Sequence, residues 1–482
     1  MRPGLERLPT GSPAFDRILG GGLPVRSVVM IAGEPGAGKT LFALQMLFHL
    51  ARQRKKGLYF TTLSEPSLKL VNYMQQFSFF DERLVGDGIV FADLGSLIRG
   101  KGPQATLAEI TSRVEREEPA VVVIDSFKAI RESLDDATAV RTFVYDLAVH
   151  TAAWGAASLF VGEYTEAELT NYAEFAIADG IIRFANRRHE LTAVREVEVL
   201  KLRGADYVTG GHFFEIGQDG LAFFPRVRSP VTAPAETVSL AERVPTGVDG
   251  LDAMLGGGLP RASATVVQGG TGTGKTLLGL RFLLEGARHG EPGIHFTLEE
   301  TADQLRGIAL SLGWDLVSLE KRGLLTLSYT SPVELSTDRF LDQARRQVQK
   351  LKAKRAVLDS VTSMALGVPS DRRFKELVYA VAKHFRAQGV TLNMNMEIAD
   401  LLGSAQLSGH GISFAADNVI QLKYVEVKGR LERGISVLKA RGVQHATDVC
   451  RMSVNPDGIL VGPAFKGLRG VLTGLPVPAK KP

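Results

Sequence analysis

Two short glycine-rich segments carry the residue types that bind nucleotide phosphates. Both fit the pattern G-x-x-x-x-G-K-[ST], in which backbone N–H groups converge on phosphate oxygens, the lysine neutralises charge and the hydroxyl completes a Mg²⁺ shell. The two segments are Gly33-Glu34-Pro35-Gly36-Ala37-Gly38-Lys39-Thr40 and Gly269-Gly270-Thr271-Gly272-Thr273-Gly274-Lys275-Thr276. They predict two sites for ATP and Mg²⁺, with Thr40 and Thr276 among the metal ligands.

Each segment stands between a predicted strand and a predicted helix. Residues 28–32 and 264–268 are short apolar runs, which are typical of buried strands. Residues 41–52 and 277–288 are predicted helices, and a helix N-terminus attracts phosphate because its N–H groups are free and its dipole is positive there. The context therefore favours phosphate binding by both segments.

An aspartate at the end of a predicted strand follows each loop in the sequence. Residues 121–124 and 356–358 are apolar strands that lead into Asp125 and Asp359. A carboxylate at this point can hold Mg²⁺ or its water beside the threonine of the loop, although a strand-end aspartate can equally cap a turn. Because the aspartate recurs in both halves, the pattern favours a metal site.

A further set of acidic residues indicates whether each site hydrolyses ATP or only binds it. In the second half a predicted strand runs into Glu299 and Glu300, which could orient or deprotonate the attacking water. In the first half the aligned residues are Leu63 and Ser64, or Ser64 and Glu65 if one residue is inserted. At least one carboxylate is therefore missing there. Glu65 is the only local candidate base, and the first site is expected to hydrolyse slowly or to act mainly in holding the ring.

The duplication extends beyond the loops. Lys275 follows Lys39 by 236 residues (275 minus 39), and the glycine triplets at 20–22 and 256–258 keep the same displacement. A period this long indicates two whole domains, since solenoid repeats span roughly 20–50 residues. We expect an α/β protein with a first domain over 1–224 and a second over 244–464. The predicted linker and C-terminal tail are residues 225–243 and 465–482.

Composition restricts the function classes. The single Cys450 cannot form an internal disulfide, and no apolar run reaches the roughly 18 residues that span a bilayer, so a cytoplasmic protein without a membrane partner is expected. The net charge of +5 neither demands nor excludes nucleic acid. No Cys or His cluster has zinc spacing.

Together these motifs resemble the KaiC family of circadian clock ATPases and autokinases within the RecA superfamily. The resemblance runs from about Leu8 to about Gly474. Besides the loops and the glutamate pair, it includes Thr-Gly-x-x-x-x-Asp before a glycine triplet, Tyr424-Val425-Glu426 and duplicated Lys-x-Arg-Gly segments. It implies two tandem RecA-like P-loop NTPase domains, each a mostly parallel twisted sheet flanked by helices.

The resemblance also implies a homohexamer of stacked double rings with ATP between neighbouring subunits. In such a ring the Lys-x-Arg-Gly segments reach the phosphates of the adjacent protomer. The residues concerned are Lys201, Arg203, Lys439 and Arg441. The alternative interpretation is a basic strand end that faces solvent.

Autophosphorylation is the family's second activity. The resemblance places Ser413 at the family's serine acceptor, but Phe414 replaces the neighbouring threonine, so at most one acceptor is expected; Ser413 could also be an ordinary interface serine. The tail after Gly474 is shorter than that of the clock members, which argues against their stimulating partner. We expect an ATPase that signals through partner proteins still to be identified.

Two other functions stay open at this point. A RecA-like nucleic-acid motor or recombination accessory ATPase would need a basic, aromatic loop in the ring channel, and residues 183–189 could serve as one. A purely structural ring would bind ATP without hydrolysing it, but Glu299 and Glu300 argue against that.

Overall fold

Two nine-stranded sheets form the framework of the chain in the computed structural model, one in each of two units, Met1–Arg226 and Val227–Pro482. The structure describes residues 6–62, 67–134, 136–189, 192–226, 239–332, 335–368, 371–398, 414–455, 458–466, 468–469, 471 and 477–478.

The first unit alternates strands and helices. Its strands are β1 (Arg7–Leu8), β2 (Leu23–Pro24), β3 (Val28–Gly33), β4 (Gly57–Thr61), β5 (Ile89–Asp93), β6 (Val121–Asp125), β7 (Ala157–Glu163), β8 (Gly180–His189), β9 (Thr192–Leu202), β10 (His212–Gly217) and β11 (Gly220–Phe224). Its helices are α1 (Pro13–Ile18), α2 (Lys39–Arg52), α3 (Ser67–Met74), α4 (Gly95–Gly100), α5 (Gly102–Glu117), α6 (Phe127–Glu132), α7 (Ala137–Trp154), α8 (Glu166–Asn171) and α9 (Ala173–Ile177).

The second unit also alternates strands and helices. Its strands are β12 (Ser239–Val244), β13 (Leu259–Arg261), β14 (Ala264–Gly269), β15 (Gly293–Thr297), β16 (Leu325–Tyr329), β17 (Arg355–Asp359), β18 (Thr391–Glu397), β19 (Asn418–Val427), β20 (Arg430–Ala440), β21 (Cys450–Asn455), β22 (Gly458–Ala464), β23 (Leu468–Arg469) and β24 (Val477–Pro478). Its helices are α10 (Asp249–Met254), α11 (Lys275–Arg288), α12 (Ala302–Ser311), α13 (Leu316–Lys321), α14 (Thr337–Leu351), α15 (Val361–Met364) and α16 (Asp371–Ala387).

The two large sheets share one topology. The first has the order β11-β10-β9-β8-β3-β7-β6-β4-β5, and the second has β22-β21-β20-β19-β14-β18-β17-β15-β16. In the first sheet, β8, β3, β7, β6, β4 and β5 are parallel, and β9, β10 and β11 are antiparallel to their neighbours. In the second sheet, β19, β14, β18, β17, β15 and β16 are parallel, and β20, β21 and β22 are antiparallel to their neighbours. Parallel strands joined by helices build an α/β fold, which confirms the predicted tandem RecA-like class.

The central strand β3 is buried on both faces. Val29 and Ile31 pack into the cluster that includes α2, whereas Val28, Met30 and Ala32 pack into the cluster that includes α6 and α7. Alternate residues of a strand point to opposite faces, so an uninterrupted apolar run marks a strand covered on both sides. The loop that follows therefore starts from a rigid position.

Most predicted boundaries hold to within two residues. Helices α2 and α11 begin at Lys39 and Lys275, two residues before their predicted starts, because the lysine and threonine of each loop already form the first helical turn. Residues 239–243, the end of the predicted linker, form part of β12, which pairs with β13 and so packs with the second unit. That part of the predicted linker is a strand.

No helix within the described ranges is both long and apolar enough to cross a membrane.

Candidate nucleotide-binding and catalytic sites

Both phosphate-binding loops connect the end of a central strand to the start of a helix. Gly38 and Gly274, the residues just before α2 and α11, have φ angles of 95° and 105°. Backbone in this left-handed region is strained for residues with a side chain, so glycine is required for the loop to turn into the helix. The loop N–H groups and the helix dipole thereby face one point, as an anion site needs.

Each loop lysine lies folded over its own loop. Lys39 is buried, and its Nζ donates a 2.7 Å hydrogen bond to the carbonyl of Glu34. Burial lowers the pKa of Lys39, while the carboxylates of Glu163, Asp125 and Glu34 act in the opposite direction. Lys275 donates to the carbonyls of Gly269 and Gly270 at 2.9 and 3.0 Å. Both ammonium groups are thus held where they can neutralise a phosphate on the loop.

The threonine and aspartate predicted to bind metal meet in the first site. Thr40 Oγ1 donates a 2.6 Å hydrogen bond to Asp125 Oδ2, and the same oxygen accepts a 2.7 Å bond from the hydroxyl of Tyr59. Asp125 therefore faces the loop helix rather than capping a turn. A hydroxyl and a carboxylate side by side are oxygen ligands of the kind that Mg²⁺ takes.

In the second site the corresponding aspartate, Asp359, has different surroundings. Asp359, at the end of β17, is buried, and within the described part of the chain its Oδ2 has no hydrogen-bond partner. The Nε2 of His295 lies 3.8 Å from this oxygen. Burial lowers the pKa of His295 although Asp359 acts to raise it. A buried carboxylate oxygen without a hydrogen-bond partner is a group that a bound cation would satisfy.

A cavity of about 890 Å³ opens beside the first loop. It is lined by loop residues, by Asp125 and Tyr59, and by Glu163 at the end of β7. Its volume falls within the roughly 300–1,000 Å³ of small-molecule sites. The first site therefore has the space that a nucleotide requires.

Two serines hold Glu299, the first residue of the glutamate pair. Glu299 Oε1 accepts hydrogen bonds of 2.6 Å from both Ser360 and Ser363, and Ser360 directly follows Asp359. The Oε2 of Glu300 is buried and has no partner among the residues described. Burial raises the pKa of Glu300, and the charge of Asp359 raises it further. The pair thus lies against the acidic strand end, with one carboxylate fixed and one desolvated.

The first unit's corresponding loop, with Ser64 and Glu65, falls outside the described residues. Another carboxylate, Glu163, pairs in register with Gly33, as Glu397 does with Gly269 in the second sheet. Thr271 donates a short hydrogen bond to Glu397. In the first unit the residue that corresponds to Thr271 is Pro35, which has no hydroxyl to donate to Glu163.

The four basic residues of the Lys-x-Arg-Gly segments contact the chain just before β8 and β19. Lys201 donates to the carbonyl of Ala176 at 3.0 Å, and Lys439 donates to that of Ala416 at 2.7 Å. Arg203 and Arg441 lie 3.3 and 3.8 Å from the carboxylates of Asp179 and Asp417, respectively. The strands β9 and β20 that carry the lysines lie two places from β3 and β14 in the sheets. The duplication of these segments therefore extends to their contacts.

Several residues of the sites were missed by sequence reasoning. Tyr59 and His295 lie in apolar strand runs, which give no sign that their polar atoms face the strand-end aspartates. Their separation of 236 residues is the signal that the sequence offers. Tyr424 was identified only as part of a motif, yet its hydroxyl donates to the carbonyl of Gly272 at 2.8 Å, and Arg433 approaches the same carbonyl at 3.3 Å. Both residues thus brace the second loop.

The predicted phospho-acceptor Ser413 also lies outside the described residues. Its neighbour Phe414 is about half exposed and stacks on Tyr379 at a centroid distance of 6.0 Å.

Comparison with known proteins agrees with the duplicated sites. The family model described as "ATPase: KaiC" matches residues 8–228 and, a second time, residues 244–466. The chain is 30% identical to the circadian clock protein KaiC3 of Synechocystis, over 98% of this chain and 95% of that protein. It is 29% identical to the circadian clock oscillator protein KaiC of Rippkaea orientalis and 30% identical to that of Acaryochloris marina, each over 98% of this chain, covering 92% and 91% of those proteins.

Proposed function

The chain belongs to the KaiC family of ATPases, and from this premise we propose that it is a signalling ATPase that assembles as a hexameric double ring and hydrolyses Mg-ATP mainly in its second domain. The observation that carries the proposal is the placement of Glu299 and Glu300. Both lie against Asp359, at the same edge of the sheet as the loop of Lys275.

The arrangement supports hydrolysis because each requirement has a separate group. Lys275 and the loop N–H groups would hold the phosphates, and Thr276 with Asp359 would hold Mg²⁺, which neutralises charge on the β- and γ-phosphates. Glu299 is held in one orientation by Ser360 and Ser363. Burial and the charge of Asp359 raise the pKa of Glu300. A general base works best when its pKa approaches the working pH, so Glu300 suits proton removal from water and Glu299 suits its orientation.

Assembly into a ring is supported by the basic segments. Arg203 and Arg441 are exposed and directly follow β9 and β20, the strands that carry the two lysines and that lie two places from β3 and β14 in the sheets. In a ring these groups would meet the phosphates bound by the next subunit and spread the transition-state charge there. ATP between subunits would then act as an adhesive.

The first site would bind ATP more than it hydrolyses it. Thr40 and Asp125, which are in contact, would hold Mg²⁺ there, but one carboxylate of the glutamate pair is absent from the sequence of this half. Glu65 is the base we assign to whatever turnover this site has. A cytoplasmic location, signalling partners and an autokinase activity on Ser413 complete the proposal, since the relatives are described as clock proteins.

The nucleic-acid motor is not favoured. Its candidate contact segment, residues 183–189, lies in β8, where Arg183 pairs with Glu166 and Glu198 and Arg187 pairs with Glu196. These ion pairs, of 2.5 to 2.8 Å, are closer than those of Arg203 and Arg441, at 3.3 and 3.8 Å, and a phosphate backbone would have to displace them.

One experiment tests the proposed activities together. Purified protein is incubated with Mg²⁺ and ATP labelled on the γ-phosphate, and the label is followed both as free phosphate and on the chain. Release of phosphate that requires Lys275 supports the ATPase. Absence of release, or release stimulated only by single-stranded DNA, would contradict it.

A further inference from the structure

The carboxylate of Asp125 is held from two sides. Tyr59 lies within β4 and is fully buried, and its hydroxyl donates a 2.7 Å hydrogen bond to Asp125 Oδ2. The hydroxyl of Thr40 donates to the same oxygen at 2.6 Å. Tyr59, Thr40 and Asp125 therefore form a cluster of three residues. Two of them, Thr40 and Asp125, are the groups that the proposed function assigns to Mg²⁺.

The strand register explains why Tyr59 reaches this point. β4 and β6 are parallel, and Thr61 lies opposite Asp125. Side chains two residues apart share a face of a strand, so Tyr59 lies on the face that carries Asp125 and that α2 covers. Its ring packs at 5.4 Å from that of Phe91, which restricts its movement.

The duplicated position differs in the second unit. His295 follows Tyr59 by 236 residues (295 minus 59) and is also fully buried. Its Nε2 lies 3.8 Å from Asp359 Oδ2, which is too long for a hydrogen bond. In the part of the chain that the structure describes, neither ring nitrogen of His295 has a hydrogen-bond partner. Asp359 therefore lacks the support that Asp125 receives.

We propose that Tyr59 is a positioning residue of the first site, which fixes Asp125 so that its carboxylate and the Thr40 hydroxyl face a divalent cation together. The second site, with histidine in place of the tyrosine, holds the metal–nucleotide complex less tightly. This inference rests on the proposed function, because that function supplies the metal roles of Thr40 and Asp125. Groups that orient a metal ligand typically change metal affinity or activity by about 10–100-fold when removed.

The test measures metal binding rather than turnover. The hexamer carrying Lys275→Ala, which confines binding to the first site, is titrated with Mn²⁺ in the presence of ATPγS, and free Mn²⁺ is followed by electron paramagnetic resonance. Adding Tyr59→Phe removes only the hydroxyl, and it should weaken Mn²⁺ binding about tenfold. Nucleotide binding by the same variant in EDTA, which removes the divalent metal, should not change.

Tyr164→Phe is the matched control. It also removes a buried tyrosine hydroxyl from the first unit, and the carboxylate beside that hydroxyl is Glu174. We expect unchanged Mn²⁺ affinity in this variant. Equal Mn²⁺ affinity in Tyr59→Phe and its parent would overturn the proposal, as would an equal loss of nucleotide binding in EDTA, which would show that the hydroxyl supports the loop instead of the metal.

A second comparison needs no change at Tyr59. Protein with Lys39→Ala reports the second site alone, and protein with Lys275→Ala reports the first. Tighter Mn²⁺ binding by the first site is expected, and equal or reversed affinities would overturn the inference. If neither protein bound Mn²⁺ with nucleotide, the proposed function itself would fail; if both bound it equally, only the inference would.

Discussion

Ser360 donates its hydroxyl hydrogen to Glu299 across 2.6 Å, so a proposed catalytic carboxylate is tied to the residue that follows the proposed metal-binding Asp359. Any movement of this strand end moves both groups. In the proposed mechanism, the position of the attacking water would therefore depend on the position of the metal.

The first prediction concerns the glutamate pair. Replacing Glu299 and Glu300 together by glutamine should lower steady-state ATP hydrolysis by at least about tenfold, because the variant loses both the water-orienting and the proton-accepting carboxylate. Phosphate release by purified protein measures it. Asp303→Asn, which neutralises an exposed carboxylate at the start of α12, is the control and should leave the rate unchanged. Unchanged turnover in the double variant would remove the assignment.

The sequence predicts these sites unevenly, for physical reasons. The loops are local: consecutive residues such as Gly38, Lys39 and Thr40 determine their geometry, so the pattern alone locates them. Contacts such as Tyr59 to Asp125 depend on the register of two parallel strands separated by 66 positions in the chain. Register follows from the whole sheet, and an apolar run gives no sign of which polar atom it will place against an aspartate.

The second prediction concerns assembly. If ATP joins neighbouring subunits and the first site hydrolyses it slowly, Lys39→Ala should weaken the hexamer more than Lys275→Ala does, because the first site retains its nucleotide longer. Sedimentation velocity with and without ATP compares the two variants with the parent protein. Hexamers that are equally stable without nucleotide would contradict the adhesive role.

The third prediction concerns the stability of the second unit. Arg355 is 1% exposed and donates to Glu291 Oε2 at 2.8 Å, as well as to the carbonyls of Pro245 and Phe282. Glu291→Gln leaves this buried cation without its counter-charge. The loss should be about 2 kcal/mol at neutral pH, which lowers the melting temperature of this unit by roughly 5 °C. Differential scanning calorimetry measures it.

The same pair predicts a pH dependence. Burial acts to raise the pKa of Glu291, but Arg355 and then Arg261 outweigh it, so the folded pKa lies below the ordinary value of 4.5. The stabilisation is therefore complete above about pH 4.5 and is lost as the pH falls through the folded pKa. The difference between parent and variant should shrink in that range. The control is Glu432→Gln, at a partly exposed pair with Arg451, with an expected change within about 0.5 kcal/mol.

The last prediction concerns autophosphorylation. The Ser413 hydroxyl would attack the γ-phosphorus of ATP held by Lys275 and Thr276 of a neighbouring protomer, with release of ADP and with Glu299 or Glu300 taking the proton. Because Phe414 replaces the second acceptor of the family, we expect at most one phosphate on the segment of residues 408–414. Intact-mass measurement after incubation with Mg-ATP tests this, with Ser408→Ala as a serine control in the same segment. Two phosphates on the segment, or a phosphate that persists in Ser413→Ala, would show that the acceptor lies elsewhere.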